Sequence, residues 1–306
     1  MDTRLRRKRL ILMAHPFKTV GVVGAGTMGA GIAQICAQNG LKTILFDLDQ
    51  AALSKALATS RKMLAKGKEK GKVTQAEVTA FESNIDTATE LKNLSGCDLI
   101  IEAVPEDMAL KKKIFTELDG VTRKDCVLVS NTSSLSITAL ASAIQHPEQF
   151  AGLHFFNPVA LMQLVEVISG QRTSSRVMKQ LVAFAKAIGK TPVQAKDTPG
   201  FIVNRVARPF YGEALQLLGE EGGSEDVARR IDAALRTAGG FKMGPFELMD
   251  LIGIDVNFAV TQSVYAAFFN APRYKPHPIQ QKMVEAGLLG KKTGRGFYNY
   301  EGGHKR

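Results

Sequence analysis

The chain has 306 residues, of which 45% are hydrophobic and 23% charged, so it is long enough for two ordinary domains and is neither a disordered chain nor a coiled coil. Its formal net charge is +11, which makes nucleic acid or a phosphate-rich small molecule the first partners to consider. Part of that charge is local, because residues 1–12 carry five basic residues against one Asp. We interpret residues 1–17 as a basic leader that is either dispensable or a short organelle-targeting segment.

The cysteines and the apolar segments bear on where the protein works. Cys36, Cys97 and Cys126 are an odd number at no repeated spacing, which favours neither a disulfide framework nor a metal site and indicates a reducing compartment. No apolar run in the sequence reaches the 18 residues that a membrane-spanning helix needs. We therefore predict a cytoplasmic protein, or a protein of an organelle matrix if the leader is a targeting segment.

From Val20 onward, short β-branched runs alternate with helical patterns, which is typical of a parallel sheet with crossover helices. The predicted strands are Val20–Val23, Thr43–Phe46, Leu99–Val104, Val127–Ser130, Gly152–Phe155, Leu164–Ile168 and Thr191–Ala195. None of these runs alternates strictly between apolar and polar residues, as expected for strands that are covered on both faces. The Lys- and Ala-rich segment 49–96 predicts a helical pair inserted between the second and third strands.

The strand pattern stops after Asp197-Thr198-Pro199-Gly200, where Pro and Gly favour a joint between domains. The helices predicted beyond this joint are Phe201–Leu218, Glu225–Ala238 and Phe246–Phe269. We therefore predict an α/β protein, with a Rossmann-type doubly wound sheet and a helical insertion over residues 18–199. An all-α domain over residues 200–306 is predicted to follow it.

A glycine-rich loop follows the first predicted strand and opens a helix predicted over Thr27–Asn39. In this Gly-Ala-Gly-Thr-Met-Gly sequence at 24–29, Gly24 would make the tight turn, Gly26 would let the backbone approach a pyrophosphate, and Gly29 would let helix and strand pack closely. The second predicted strand ends at Asp47, whose carboxylate would accept the ribose hydroxyls of NAD and repel the 2′-phosphate of NADP. The predicted NAD-binding residues are Gly24, Gly26, Thr27, Met28, Gly29 and Asp47.

His154 is the one His of five at the end of a predicted strand, and ligands of doubly wound sheets bind beyond the carboxyl ends of the strands. Imidazole takes up a proton near neutral pH, which makes it a suitable base for the oxidation of an alcohol. Glu166 lies inside an apolar run, where an unpaired charge would be costly, and is the best candidate to orient this base. On these residues alone, an alternative stays open in which His154 is a core histidine and Glu166 faces solvent from an edge strand.

Seven motifs, in order between residues 20 and 300, resemble the 3-hydroxyacyl-CoA dehydrogenase family. They are Gly-Ala-Gly-Thr-Met-Gly at 24–29, Glu-Ala-Val-Pro-Glu at 102–106, Asn-Thr-Ser-Ser at 131–134, His-Phe-Phe-Asn-Pro at 154–158, Leu-Val-Glu-Val-Ile at 164–168, Asp-Thr-Pro-Gly-Phe-Ile-Val-Asn-Arg at 197–205 and Lys-Lys-Thr-Gly-Arg-Gly-Phe-Tyr at 291–298. The motifs that begin at His154 and Asp197 are much more specific than the glycine-rich loop.

The resemblance implies roles for individual residues of these motifs. The catalytic and substrate-binding residues that it implies are His154 as the base, Glu166 as its partner in a His–Glu dyad, Ser133 and Asn204 near the reacting carbon, and Asn157 close by. The further cofactor-binding residues that it implies are Glu106, Lys111 and Lys292 on the nicotinamide-ribose side, together with Asn131. Without the resemblance, a helix cap would be favoured for Ser133, turn positions for the asparagines and solvated charges for the lysines.

The resemblance also implies an activity, namely NAD-dependent oxidation of an L-3-hydroxyacyl-CoA to a 3-oxoacyl-CoA and the reverse reduction. A short acyl chain such as 3-hydroxybutyryl, a place in fatty-acid β-oxidation and butanoate metabolism, and a homodimer are expected with it. Two alternatives stay open. One is a related dehydrogenase of a free hydroxy acid, of the carnitine or gulonate type, and the other is a non-catalytic, crystallin-like dinucleotide-binding protein.

The positive charge of the folded chain would attract the phosphates of coenzyme A. The basic segment Arg61–Lys72 is either the region that receives them or a solvated helix face, which is the commoner fate of a Lys-rich run. Nucleic acid is a weaker candidate, because these lysines are not interleaved with aromatic residues and no recognition motif is present. We expect no metal, nucleic-acid or membrane partner.

Overall fold

The computed structural model describes residues 16–300, and the chain divides between Thr198 and Pro199 into two compact units. Nearly all of the basic leader predicted at 1–17 lies outside the described residues. Each of the two units has a hydrophobic core of its own.

The first unit is built on one eight-stranded sheet. Its strands are β1 Thr19–Val23, β2 Lys42–Phe46, β3 Ile85–Ala88, β4 Leu99–Glu102, β5 Val127–Ser130, β6 Phe150–Phe155, β7 Leu164–Ser169 and β8 Thr191–Lys196. Its α-helices are α1 Thr27–Gln38, α2 Gln50–Glu69, α3 Gln75–Asn84, α4 Met108–Val121, α5 Ile137–Ala141 and α6 Ser175–Ala187.

The strand order of this sheet is β3-β2-β1-β4-β5-β6-β7-β8. Strands β1 to β6 run parallel, whereas β7 pairs antiparallel with β6 and parallel with β8. Every residue of β4 and β5 is buried, as expected for central strands that are covered on both faces. Because the strand order reverses direction at β1, the carboxyl end of this strand is the switch point where doubly wound sheets bind ligands.

The predicted fold class is confirmed, including the seven predicted strands and the helical pair of the insertion, α2 and α3. Strand β3, the first strand in the order of the sheet and therefore an edge strand, was not predicted from the sequence. Its two central residues, Asp86 and Thr87, are exposed, so this strand lacks the apolar run by which the other strands were recognised.

The second unit is helical, as predicted. Its α-helices are α7 Val203–Glu220, α8 Glu225–Thr237, α9 Pro245–Ile252, α10 Ile254–Ala267 and α11 Pro278–Glu285. The single helix predicted over Phe246–Phe269 is wrong, because the chain breaks at Gly253. This residue has a φ of +102°, a conformation that ends a helix and that glycine adopts without strain. The core of this unit includes Tyr211, Leu215, Leu218, Phe246, Met249 and Phe297.

Two buried aspartates hold the C-terminal segment of the second unit. Asp232 accepts hydrogen bonds from two N–H groups at the start of α9 and from the Tyr298 hydroxyl, which lies 2.7 Å away. Asp250 accepts the N–H groups of Phe297 and Tyr298, each at 3.0 Å. Burial raises the pKa of both carboxyl groups. The motif at 291–298 therefore has a packing role in this unit.

The cysteines of the first unit are all buried free thiols, and burial raises the pKa of Cys36, Cys97 and Cys126 to about 12 in each case. None of the helices within residues 16–300 is both long and apolar enough to cross a membrane. Over the same residues, His, Cys, Asp and Glu form no group of three or more that could hold a metal ion.

Candidate active site

The glycine-rich loop lies at the switch point, between β1 and α1. Gly24 has a φ of +103°, which a residue with a side chain rarely adopts. A Cβ atom built on Gly29 would stand 1.8 Å from the carbonyl oxygen of Gly24, whereas a Cβ on Gly26 would meet no atom of the described residues within 4 Å. The backbone at Gly26 is therefore open to a ligand, directly before the first-turn N–H groups of α1. This geometry suits an anion such as a pyrophosphate.

Asp47, at the end of β2, borders the same loop. Its carboxylate accepts the N–H of Ala25 at 2.7 Å and the N–H of Asp49 at 3.0 Å, so it joins the loop to the start of α2. Each carboxylate oxygen can accept more than one hydrogen bond, so these contacts leave acceptor capacity for ribose hydroxyls.

A cavity of about 770 Å³ opens beside the glycine-rich loop, within the size range of cofactor pockets. Its lining includes Gly24, Gly26, Thr27, Asp47, Leu48 and Asn157. Met28, which was also predicted to bind the cofactor, packs against the hydrophobic core. The cavity, the open backbone and the acidic residue together fit an adenine dinucleotide with its phosphates at the start of α1.

His154 and Glu166 face each other across the antiparallel pair of β6 and β7, where they are direct register partners. Directly opposite residues carry their side chains on the same face of a sheet. The Nδ1 atom of His154 lies 2.7 Å from Oε2 of Glu166, and these side chains are only 8% and 1% exposed. The alternative with a solvent-facing Glu166 on an edge strand is therefore wrong, since β7 lies between β6 and β8. A carboxylate on Nδ1 fixes the ring and assigns proton transfer to Nε2.

A buried ion pair lies at the carboxyl end of β4. The Nζ atom of Lys111 lies 2.5 Å from Oε1 of Glu102 and 3.5 Å from Oε2 of Glu106, and the Lys111 side chain is 1% exposed. The other carboxylate oxygen of Glu102 accepts the Ser130 hydroxyl at 2.6 Å. Protein groups thus enclose the ammonium that was predicted to contact the cofactor. Lys111 supports the strand ends, and its contact with the cofactor stays a prediction.

Glu106 holds the loop that carries Ser133. Its Oε1 atom accepts the Thr132 hydroxyl at 2.6 Å and the N–H of Ser133 at 2.9 Å. Burial opposes the charge of this carboxylate, but its hydrogen bond from Thr132 and the nearby Lys111 ammonium lower the pKa of Glu106 below its usual value. Ser133 is not the cap of the following helix, because the side chain of Ser136 caps α5.

Two asparagines lie at the same edge of the sheet. The side-chain oxygen of Asn131 accepts the N–H of Phe155 at 2.8 Å, which ties the end of β5 to the strand of His154. Asn157 lies in the loop after β6 and lines the cavity. This loop is held by the buried Lys190, which donates to the carbonyl oxygens of Val159 and Met162. Burial lowers the pKa of the Lys190 ammonium.

Asn204 and Lys292 belong to the second unit. Asn204 lies in the first turn of α7, and its backbone carbonyl accepts Nε of Arg208 at 3.1 Å. The Lys292 ammonium pairs with both carboxylate oxygens of Asp255, at 2.5 Å and 2.7 Å. The substrate contact of Asn204 and the cofactor contact of Lys292 stay predictions.

Several polar residues that support the carboxyl ends of these strands were not predicted from the sequence. Glu102 ends an otherwise apolar strand, a signal that could have found it, since a charge in such a strand needs a partner. Thr132 and Asp197 lie inside motifs that were quoted for the resemblance. The sequence carries no comparable signal at Lys190, because a lysine after the glycine that ends a helix is ordinarily a surface residue.

The sequence matches two family models in succession. Residues 19–198 match "3-hydroxyacyl-CoA dehydrogenase, NAD binding domain", and residues 200–300 match "3-hydroxyacyl-CoA dehydrogenase, C-terminal domain". The two matches meet where the chain divides into its two units.

Individual relatives agree with the family models. The chain is 46% identical over 283 residues to 3-hydroxyadipyl-CoA dehydrogenase of Escherichia coli (strain K12), an alignment that covers 92% of the chain but 59% of that longer relative. It is 42% identical over 281 residues to 3-hydroxybutyryl-CoA dehydrogenase of Clostridioides difficile, with 92% of the chain and 99% of the relative covered. The crystal structure of (S)-3-hydroxybutyryl-CoA dehydrogenase from Ralstonia eutropha superposes with a TM-score of 0.88 at 41% identity, covering 93% of this chain and 99% of that one. The chain belongs to the 3-hydroxyacyl-CoA dehydrogenase family.

Proposed function

We propose that this protein oxidises L-3-hydroxyacyl-CoA thioesters of short acyl chain to 3-oxoacyl-CoA with NAD, and catalyses the reverse reduction. The observation that carries the proposal is the buried pair of His154 and Glu166 at the same sheet edge as the glycine-rich loop. A base held by a carboxylate beside a dinucleotide site is what removal of a hydroxyl proton requires.

NAD would be held by groups of the first unit. The backbone from Gly26 to the first turn of α1 would receive the pyrophosphate, and Asp47 would accept the hydroxyls of the adenosine ribose, which favours NAD over NADP. Bound NAD supplies the acceptor for the hydride. Glu106 and Asn131 lie at the strand ends where the nicotinamide half is expected, and they act there at least by holding the Ser133 loop and β6 in place.

The proton chemistry belongs to His154 and Ser133. In the oxidative direction, Nε2 of His154 takes the proton of the substrate hydroxyl while Glu166 stabilises the imidazolium through Nδ1. In the reductive direction, the protonated ring returns that proton to the oxygen, and the hydroxyl of Ser133 helps to polarise the ketone. Asn204 is expected near the reacting carbon of the substrate, with Asn157 close by.

The carrier and the chain length are inferred from the relatives and from charge. The relatives are named for 3-hydroxyadipyl-CoA and 3-hydroxybutyryl-CoA, which supports a short acyl chain on coenzyme A. The lysines in the C-terminal half of α2 and just beyond it are exposed, so they would attract a polyphosphate to this side of the first unit.

A homodimer formed by the second unit is part of the proposal. Large apolar side chains stay exposed on α7, α9 and α10 and in the turn that follows, including Leu217, Leu251, Val256 and Phe269. An apolar surface of this kind is typical of a contact between subunits. Sedimentation equilibrium of the full chain tests it, and a monomer at micromolar concentration would overturn this part.

The activity is tested by following NADH absorbance with acetoacetyl-CoA and, in parallel, with free acetoacetate. We expect turnover of the thioester and at least about tenfold lower kcat/KM for the free acid, since the acid lacks the carrier contacts. His154→Gln should lose about 10²- to 10⁴-fold in kcat, the usual contribution of a general base. Equal rates with both substrates would favour a dehydrogenase of free hydroxy acids, and no turnover with any substrate would favour a non-catalytic dinucleotide-binding protein.

A further inference from the structure

The loop that carries Ser133, residues 131–136 between β5 and α5, is held by a carboxylate at each end. In the first half of the loop, Thr132 and Ser133 donate hydrogen bonds to Glu106. The second carboxylate is Asp197, which lies sixty residues further along the chain, directly after β8. Neither the family models nor the names of the relatives assign Asp197 a role.

Asp197 receives three hydrogen bonds where the loop enters α5. Its Oδ1 atom accepts the N–H of Ile137 at 2.9 Å, and Oδ2 accepts the N–H of Thr138 at 2.7 Å and the Ser136 hydroxyl at 2.9 Å. Its own N–H donates to the carbonyl of Ser169 at 3.1 Å, which continues the pairing of β8 with β7. Asp197 is thus anchored to the sheet by its backbone and to the loop by its side chain.

Capping of α5 alone does not account for this arrangement. The helix has five residues, and it already has a local cap in Ser136, whose Oγ accepts the N–H of Ala139 at 3.1 Å. A carboxylate brought from a distant strand adds a long-range constraint, which a local cap cannot supply. The constraint acts on the residues that follow Ser133 and on the chain immediately before Pro199, where the second unit begins.

We propose that Asp197 is a positioning residue that fixes the Ser133 loop from its C-terminal side, in opposition to Glu106. The part of this inference that concerns turnover rests on the proposed function, because it assumes that Ser133 polarises the substrate oxygen. The part that concerns the loop does not depend on any activity.

The test is a double-mutant cycle of Asp197→Asn and Ser133→Ala, measured by kcat for acetoacetyl-CoA reduction. Asp197→Asn alone should lower kcat about tenfold, as expected for weakening one charge-assisted contact, with the KM for NADH unchanged within about twofold. In the Ser133→Ala background, the same substitution should change kcat by less than about twofold, because a residue that acts through Ser133 has nothing left to position. Losses that multiply in the double variant would overturn the proposal.

A matched control is Asp98→Asn. Asp98 also accepts two backbone N–H groups, those of Lys18 and Thr19, and pairs with Arg123. It directly precedes β4, however, and so lies at the amino ends of the strands, away from the Ser133 loop. This variant should lose stability while keeping the wild-type kcat. If Asp197→Asn does not fold, Asp197→Glu keeps the charge and displaces the carboxylate by one methylene, and the same cycle applies.

Amide hydrogen exchange over residues 131–138 separates the two hypotheses. Asp197→Asn should speed exchange of these amides at least about tenfold, since local opening costs less once the contacts are weakened, and Asp98→Asn should not. If exchange is faster in Asp197→Asn but the wild-type protein shows no turnover, the positioning role stands and the proposed function is refuted. If the wild-type protein turns over the substrate but exchange in Asp197→Asn is unchanged, the positioning role alone is refuted.

Discussion

Glu166→Gln is the substitution that isolates the charge of the dyad. The side chain keeps its length and shape, and the antiparallel pairing of β6 and β7 is made by backbone groups that the change does not touch. The amide oxygen can still accept the Nδ1 proton of His154, so the ring orientation and tautomer are retained. What disappears is the negative charge that, in the proposed mechanism, stabilises the imidazolium.

The expected magnitude follows from the geometry. The contact is 2.7 Å long and joins side chains that are 8% and 1% exposed, so solvent does not screen it. A hydrogen bond to a charged partner contributes about 1.5–3 kcal/mol, which corresponds to a loss of about 10- to 160-fold in kcat at 1.36 kcal/mol per tenfold. If the amide nitrogen turns towards Nδ1 instead, the wrong tautomer is favoured and the loss approaches about 10⁴-fold.

The assay is the initial rate of NADH oxidation at saturating acetoacetyl-CoA. Glu148→Gln is the matched control, because Glu148 also contacts Nδ1 of a histidine, His146, at 3.2 Å, with both side chains more than one third exposed. That control should keep the wild-type kcat. A kcat of Glu166→Gln within about twofold of the wild type would show that the charge of the dyad does not act in the rate-limiting step, and it would refute the assigned role.

Three further predictions concern stability and cofactor choice. Lys111→Met leaves the buried Glu102 carboxylate without its cation and should cost about 3–5 kcal/mol of unfolding free energy in a urea titration; the double variant with Glu102→Gln should recover most of this, and an equal loss would contradict the pairing. Nδ1 of His277 accepts the N–H of Ile279 at 3.3 Å, and burial lowers the pKa of this histidine. The unfolded chain therefore takes up the proton first below about pH 6.5, so the stability of the wild type relative to His277→Asn should fall from pH 7 to pH 5.5, and a constant difference would refute the argument. Asp47→Gly should lower the ratio of kcat/KM with NAD to that with NADP by at least about tenfold, whereas an unchanged ratio would exclude a ribose contact.

The parts of the fold that the sequence predicted are those with strong local signals. Buried strands such as β4 and β5 each begin with three consecutive apolar residues, and the glycine-rich loop carries its own backbone requirements. The edge strand β3 was missed because half of its residues face solvent. The break at Gly253 was missed because apolar residues continue on both sides of it, so the helical periodicity hides a change of direction.

The candidate site could be predicted only in part, for a physical reason. His154 and Glu166 are twelve residues apart, and their pairing depends on the antiparallel register of β7, whereas the sequence pattern indicated parallel strands. Lys111 looked like an accessible basic residue on a helix, yet it is among the most buried side chains of the first unit. Contacts such as that of Asp197 with the start of α5 join distant segments and leave no periodic signal.

Three carboxylates at the same edge of the sheet differ in what neutralises them, and this difference separates their roles. Glu102 faces the side-chain nitrogen of Lys111 at 2.5 Å, a group that takes no part in the proposed reaction. Glu106 is held mainly by neutral donors and has a lowered pKa, so it is an ionised clamp that does not exchange protons near neutral pH. Glu166 faces an imidazole, whose charge changes when a proton is transferred. Of these three, only Glu166 faces a partner whose charge changes in the proposed reaction. Its interaction energy would therefore change along that reaction, and such a change lowers a barrier rather than merely binding a ligand.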